Sequence, residues 1–106
     1  MDEVIVIMIT APSVEVCRQI AGHLLADKLI ACANILPAIH SIYTWKGETQ
    51  DEEEALMLCK SRAGLFEELS KTVRKLHPYE LPEIIALPVR HGLPAYLEWV
   101  LKETGF

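Results

Sequence analysis

Residues 31–47, ACANILPAIHSIYTWKG, form the stretch that decides the fold of this chain. The stretch is apolar and strand-forming, and at roughly 3.3 Å per residue its first fifteen residues would extend about 50 Å, against about five or six residues in an ordinary strand. Pro37 interrupts it, so we expect a bend or bulge there. After Pro37 the side chains alternate, with Ile39, Ser41, Tyr43 and Trp45 on one face. A strand that outgrows its own sheet must be covered by something else, which favours an oligomer.

Composition narrows the class of protein. The 106 residues suit a single domain spanning 1–106. A hydrophobic fraction of 51% also favours a subunit that buries surface in an oligomer. No apolar run approaches the roughly 18 residues of a membrane span. A net charge of −5 with scattered basic residues argues against nucleic acid as a partner. The acidic start lacks the features of an export signal, so we expect a cytoplasmic protein with reduced cysteines.

The remaining elements follow from hydrophobic periodicity and from turn residues. Ser13 is a candidate N-cap for the first helix. The predicted elements are strand 4–9, helix 13–27, strand 31–45, turn 46–50, strand 51–61, helix 62–76, strand 83–89 and a short helix that opens at 92–94. The first six elements have the ferredoxin-like β-α-β-β-α-β order, an antiparallel four-stranded sheet with two helices on one face. This predicts an α+β fold with an extra C-terminal helix. The helix-free face must be polar or covered by other subunits.

The chain has no catalytic signature. It contains no nucleophile elbow, no glycine-rich phosphate loop and no CxxC pair, so we expect that it is not an enzyme. The candidate metal ligand is His77, at the end of the second predicted helix, with Glu80 and Glu83 close by. The alternative is that the helix dipole favours His77 as an imidazolium. A metal site here would be weak, or would be completed by another subunit.

Aromatic and charged residues on the hairpin and on the connector after the second helix form another candidate site. They could line a ligand cleft between subunits, or they could be interface packing with supporting ion pairs. The cleft candidates are Tyr43, Trp45, Glu54, Lys60, Tyr79 and Glu83.

These residues resemble the CutA family, the divalent-cation tolerance proteins. The likeness covers nearly the whole chain, in order and with matching gaps. The matching segments are 10–12 (TAP), 29–35 (LIACANI), 41–47 (SIYTWKG), Glu54, Lys60, 77–84 (HPYELPEI) and 96–99 (YLEW).

The resemblance implies a ferredoxin-like subunit in a stable homotrimer whose long hairpins pair between subunits. It also implies tolerance to copper and other divalent cations, binding of such ions, a cytoplasmic location and no established catalysis. Copper ligation in the family is attributed to a cysteine before the Thr-Ala-Pro and to a histidine pair before the Pro-Tyr. Here these positions hold Ile9 and the pair Leu76 and His77, so only His77 carries over. The six cleft residues are all present.

We therefore expect a non-catalytic homotrimer that binds divalent cations, with a weakly bound metal ion such as copper at His77. Its partners would be its own copies and divalent cations, without nucleic acid or membrane. One alternative is a small-molecule-sensing or signalling trimer resembling the nitrogen-regulatory trimers. Another is a trimeric scaffold that anchors a further protein.

Overall fold

The computed structural model describes residues 2–105 and confirms the predicted α+β class. The elements are β1 (Val4–Ala11), α1 (Val14–Ala26), β2 (Cys32–Trp45), β3 (Glu48–Arg62), a short 3₁₀ helix (Ala63–Leu65), α2 (Phe66–Leu76), β4 (Ile84–Pro88) and α3 (Pro94–Glu103). The strands form one sheet in the order β2-β3-β1-β4, and each neighbouring pair is antiparallel. No helix among residues 2–105 has the length and apolar character needed to cross a membrane.

The main core lies between the sheet and the two helices α1 and α2. Alternate residues of β1 and β3, such as Ile7, Ile9 and Met57, are fully buried on this side. Ser13 begins α1 as predicted, because its hydroxyl accepts a hydrogen bond from the Val16 amide at 3.2 Å. The helices contribute buried residues that face the sheet: Cys17, Ile20, Ala21 and Leu24 from α1, and Leu69 and Val73 from α2.

The long hairpin has the predicted bulge at Pro37. Leu36 pairs with Leu56 and Ile39 with Glu54, so Pro37 and Ala38 together face Ala55. A strand proline cannot donate to the ladder, and the bulge accommodates it there.

The predicted turn 46–50 was too long. Trp45 pairs directly with Glu48, which leaves only Lys46 and Gly47 in the turn. Both have positive φ, 51° and 82°, as in the two-residue turns that match the twist of a hairpin. Because the turn is so short, residues 48–50 pair with β2 and belong to β3.

The hairpin outruns the rest of the sheet. The last residue of β1, Ala11, pairs with Ala55, so β3 from Glu48 to Glu54 is paired with β2 alone. Residues 39–54 therefore project beyond β1 as a two-stranded ribbon. This is the segment that we expected to need a partner.

The second face of the sheet is not free of helices, contrary to the expectation from sequence. α3 covers one end of it, where Val100 is buried against Val4 and Ala31. Arg62 Nε donates to Thr104 Oγ1 at 3.1 Å and holds the end of α3 to β3. Beyond α3 this face carries apolar side chains, and Ile85 and Leu87 on β4 are about half exposed, at 50% and 55%.

Candidate functional site

An open groove of about 790 Å³ lies beside the projecting ribbon. One face of the ribbon forms its floor, and the connector between α2 and β4 forms its wall. Tyr43 pairs with Gln50 and Ser41 with Glu52, which places these side chains on one face with Glu54. The complete lining is Thr10, Ser41, Ile42, Tyr43, Trp45, Gln50, Glu52, Glu54, Pro78, Tyr79, Glu80, Leu81 and Glu83.

His77 holds the connector in place. Its amide donates to the Val73 carbonyl at 2.8 Å and closes α2, and Pro78 prevents the helix from continuing. The ring is buried, with Nε2 2.7 Å from the Thr10 carbonyl oxygen and Nδ1 3.1 Å from the Tyr79 amide. Because a carbonyl only accepts and an amide only donates, Nε2 carries the proton and Nδ1 accepts. His77 therefore ties the start of the connector to the end of β1 as a neutral imidazole.

This geometry bears on the expected metal ligand. Both ring nitrogens of His77 are in hydrogen bonds, so ligation would require one bond to break. Glu80 and Glu83 line the groove, whereas His77 is not part of its lining. Within residues 2–105 no three side chains of the His, Cys, Asp or Glu type are arranged to hold one metal ion. The imidazolium alternative would likewise require a bond to break, because a doubly protonated ring cannot accept from the Tyr79 amide.

Two tyrosines donate to carboxylates on the groove floor. Tyr79 donates its hydroxyl to Glu54 Oε2 at 2.8 Å, and Tyr43 donates to Glu52 Oε1 at 2.5 Å. Burial, together with the bond to Glu54, raises the pKa of Tyr79. The bond to Glu52 is the main cause that raises the pKa of Tyr43. Both hydroxyls therefore stay protonated and act as donors at neutral pH.

The groove is strongly acidic. Its lining includes Glu52, Glu54, Glu80 and Glu83 and, as far as residues 2–105 are concerned, no lysine, arginine or histidine. A concave surface of one charge sign raises the local concentration of counter-ions. The arrangement is therefore suited to cations. Glu52 was not among the cleft candidates predicted from the sequence, although its spacing of two residues from Glu54 already places both side chains on one strand face.

The groove brings together five of the six residues predicted for a cleft: Tyr43, Trp45, Glu54, Tyr79 and Glu83. Lys60 does not line this groove. It lies six residues along β3 from Glu54, about 20 Å at the usual rise of a strand. Its ammonium group donates to Asn34 Oδ1, and it faces Cys32 across the hairpin. Lys60 therefore lies on the same sheet face as Glu54 but near the opposite end of β3, and its place in a cleft between subunits stays a prediction.

The fold and the groove define a small α+β protein of ferredoxin-like topology with an acidic, aromatic site beside a projecting hairpin. The family model described as "CutA1 divalent ion tolerance protein" matches residues 5–103. The chain belongs to this family, as its sequence resemblance predicted.

Relatives and solved structures agree with this assignment. The chain is 46% identical over 100 residues to the divalent-cation tolerance protein CutA of Thermus thermophilus, covering 94% of this chain and 97% of that protein. It is 44% identical over 96 residues to mouse protein CutA, covering 91% of this chain and only 54% of the longer mouse protein. The solved Thermus structure superposes with a TM-score of 0.92, covering 99% of this chain and 100% of that one. The CutA structure of Archaeoglobus fulgidus gives a TM-score of 0.93 at 37% identity, covering 96% of this chain and 99% of that one.

Proposed function

We propose that this protein acts in tolerance to divalent cations as a non-catalytic homotrimer that binds such ions weakly at the carboxylates of the groove. The observation that carries the proposal is a groove lined by four glutamates and, in the described part of the chain, by no basic residue, in a member of the CutA1 family. Carboxylate oxygens are suitable ligands for divalent ions, and a site with one or two of them binds through retained waters.

The proposed affinity is low for a geometric reason. Glu52 and Glu54 lie two residues apart on one face of β3, so they can approach one ion together. A tight site needs more convergent ligands than this pair supplies. Copper(II) is the suitable first probe because divalent copper forms the strongest complexes of the first-row series at a given site.

The trimer is supported by surface that a lone subunit leaves exposed. The projecting ribbon leaves the outer edge of β2 without a strand neighbour in the sheet order. Ile42 on this ribbon is 70% exposed. Unpaired edges and apolar faces of this kind are usually covered in a stable protein. Light scattering should give about three times the 11.9 kDa subunit mass. A monomer at micromolar concentration would contradict the proposal.

Calorimetric titration with copper(II) tests the location of the ions. Glu52→Gln should weaken binding, whereas Glu98→Gln, an exposed carboxylate on α3 outside the groove, should not. His77→Ala tests the ligand expected from sequence. A copper isotherm that changes with His77→Ala but not with Glu52→Gln would contradict binding at the Glu52 and Glu54 pair. Equal isotherms for wild type and Glu52→Gln would also contradict binding at this pair.

A further inference from the structure

We infer that the same groove binds an aliphatic polyammonium ion, a small molecule with several protonated amines spaced along a hydrocarbon chain. The inference goes beyond the proposed function, because the ligand is an organic cation rather than a metal ion. It stands on three independent features of the groove. These are a buried carboxylate without a cationic partner among residues 2–105, the separation of the acidic side chains, and the apolar and aromatic surface between them.

The first feature is Glu54. This carboxylate is only 7% exposed, although it lies on the ribbon that projects from the sheet. Buried charges in proteins are normally paired with an opposite charge or a metal ion. Within residues 2–105 its hydrogen bond comes from the neutral Tyr79 hydroxyl, to Oε2, and no basic residue lines the groove. The contact from Tyr79 therefore stabilises this carboxylate with a dipole and leaves its negative charge at the groove without an opposite charge.

The second feature is the placement of the four carboxylates. Glu52 and Glu54 belong to the floor, on β3, while Glu80 and Glu83 belong to the wall, on the connector. No three acidic, histidine or cysteine side chains of the described chain converge on one point, as a metal ion requires. A ligand whose positive charges are distributed along its length can contact several separated carboxylates at once, whereas a single metal ion cannot.

The third feature is the surface between the charges. Tyr43, Trp45 and Tyr79 line the groove together with Ile42 and Leu81. Aromatic faces attract ammonium groups, and apolar side chains cover methylene segments. The side chain of Trp45 is 37% exposed, and its ring already attracts one ammonium group, Lys46 Nζ, 5.7 Å from its centroid. The volume of about 790 Å³ lies within the range of small-molecule sites, roughly 300 to 1,000 Å³.

Titration with spermidine, followed by tryptophan fluorescence at constant ionic strength, tests the inference. The chain has two tryptophans, so a Trp99→Phe background leaves Trp45 as the reporter. We expect a saturable change in Trp45 emission, with spermidine bound about tenfold more tightly than the diamine putrescine, since one charge-assisted contact is lost. Magnesium chloride and tetramethylammonium chloride should be weaker still, because neither carries separated charges.

Substitutions distinguish a defined site from general attraction to an acidic protein. Glu54→Gln and Glu83→Gln should each weaken spermidine about tenfold. Glu98→Gln removes the same unit of charge outside the groove and should leave affinity unchanged. Glu83 is exposed, so Glu83→Gln remains informative if Glu54→Gln does not fold. Trp45→Leu, measured by calorimetry, should also weaken binding.

Two results would overturn the inference. One is equal weakening by Glu83→Gln and Glu98→Gln, which indicates diffuse charge attraction. The other is equal affinity for spermidine and magnesium at one ionic strength. Absence of spermidine binding in a protein that still titrates copper would remove this inference and leave the proposed function intact. Saturable spermidine binding without copper binding would support it and contradict the metal proposal.

Discussion

Replacing Tyr79 by Phe should destabilise the protein, because the buried carboxylate of Glu54 would lose its hydrogen-bond donor. The Tyr79 hydroxyl donates to Glu54 Oε2 at 2.8 Å, and Glu54 is 7% exposed. Phenylalanine keeps the ring and its packing but removes the donor. Water has little access to replace it, so the cost should be that of a hydrogen bond to a charged group, about 2 kcal/mol of the free energy of unfolding.

Tyr43→Phe provides a matched control on the same groove floor. Its hydroxyl also donates to a glutamate, Glu52, at 2.5 Å, but both residues are exposed. Water can replace that bond, so the change should stay within about 0.5 kcal/mol, as for most surface substitutions. The two variants differ in the burial of the acceptor and not in the chemistry removed.

Urea unfolding at neutral pH, at one protein concentration, measures both effects. A double-mutant cycle of Tyr79→Phe with Glu54→Gln should give a coupling of about 1 to 2 kcal/mol, because the two residues share the bond. Equal costs for Tyr79→Phe and Tyr43→Phe would refute the reasoning. So would a coupling energy near zero, since it would mean that Glu54 does not depend on this donor.

Further predictions concern the turn, a buried hydroxyl and alkaline pH. Gly47→Ala should lower the free energy of unfolding by about 1 kcal/mol because φ is +82° there. Gly22→Ala, in α1 with open space around the new methyl group, should raise it by about 0.5 to 1 kcal/mol. Urea unfolding that gave both changes the same sign would contradict this. Ser61→Ala should cost about 1 to 3 kcal/mol, since the buried hydroxyl donates to the Leu29 carbonyl at 2.6 Å, and an unchanged melting temperature would count against it. All three tyrosines have a raised pKa in the fold. Their contribution to stability should therefore be present below about pH 10, the ordinary tyrosine value, and decline as pH rises through the folded values. Tyrosinate absorbance of the native protein should lag behind that of the urea-unfolded protein, and coincident curves would exclude the shift.

The architecture was predictable because local signals agree along the chain. Alternation after Pro37, the apolar run of β1 and the Ser13 cap each specify an element with little help from tertiary contacts. The turn length was not predictable in the same way. Lys46 adopts a positive φ, which a lysine in the sequence does not indicate. Asparagine or aspartate is the usual residue before glycine in such turns.

Other features depend on contacts between distant parts of the chain. The His77 ring is hydrogen-bonded to the carbonyl of Thr10, 67 residues away in the sequence. The residues around His77 therefore do not indicate that its side chain is buried. The position of α3 on the second face of the sheet depends likewise on Val4 and Arg62. Lys60 is different, because the geometry of a strand alone determines its position. It shares a sheet face with Glu54, but about 20 Å of β3 separates the two residues, so a shared face does not place them in one groove.

The role of His77 determines how its substitution must be interpreted. His77→Ala removes the only side chain that bonds both to the end of β1, at Thr10, and to the connector, at Tyr79, among residues 2–105. That connector carries Glu80, Glu83 and the donor to Glu54, so the groove wall should loosen even if His77 never touches a cation. A loss of copper or spermidine binding in His77→Ala therefore does not identify a ligand. Loss of both ligands together would indicate the groove wall, whereas loss of copper alone, with spermidine binding unchanged, would indicate direct ligation by the imidazole.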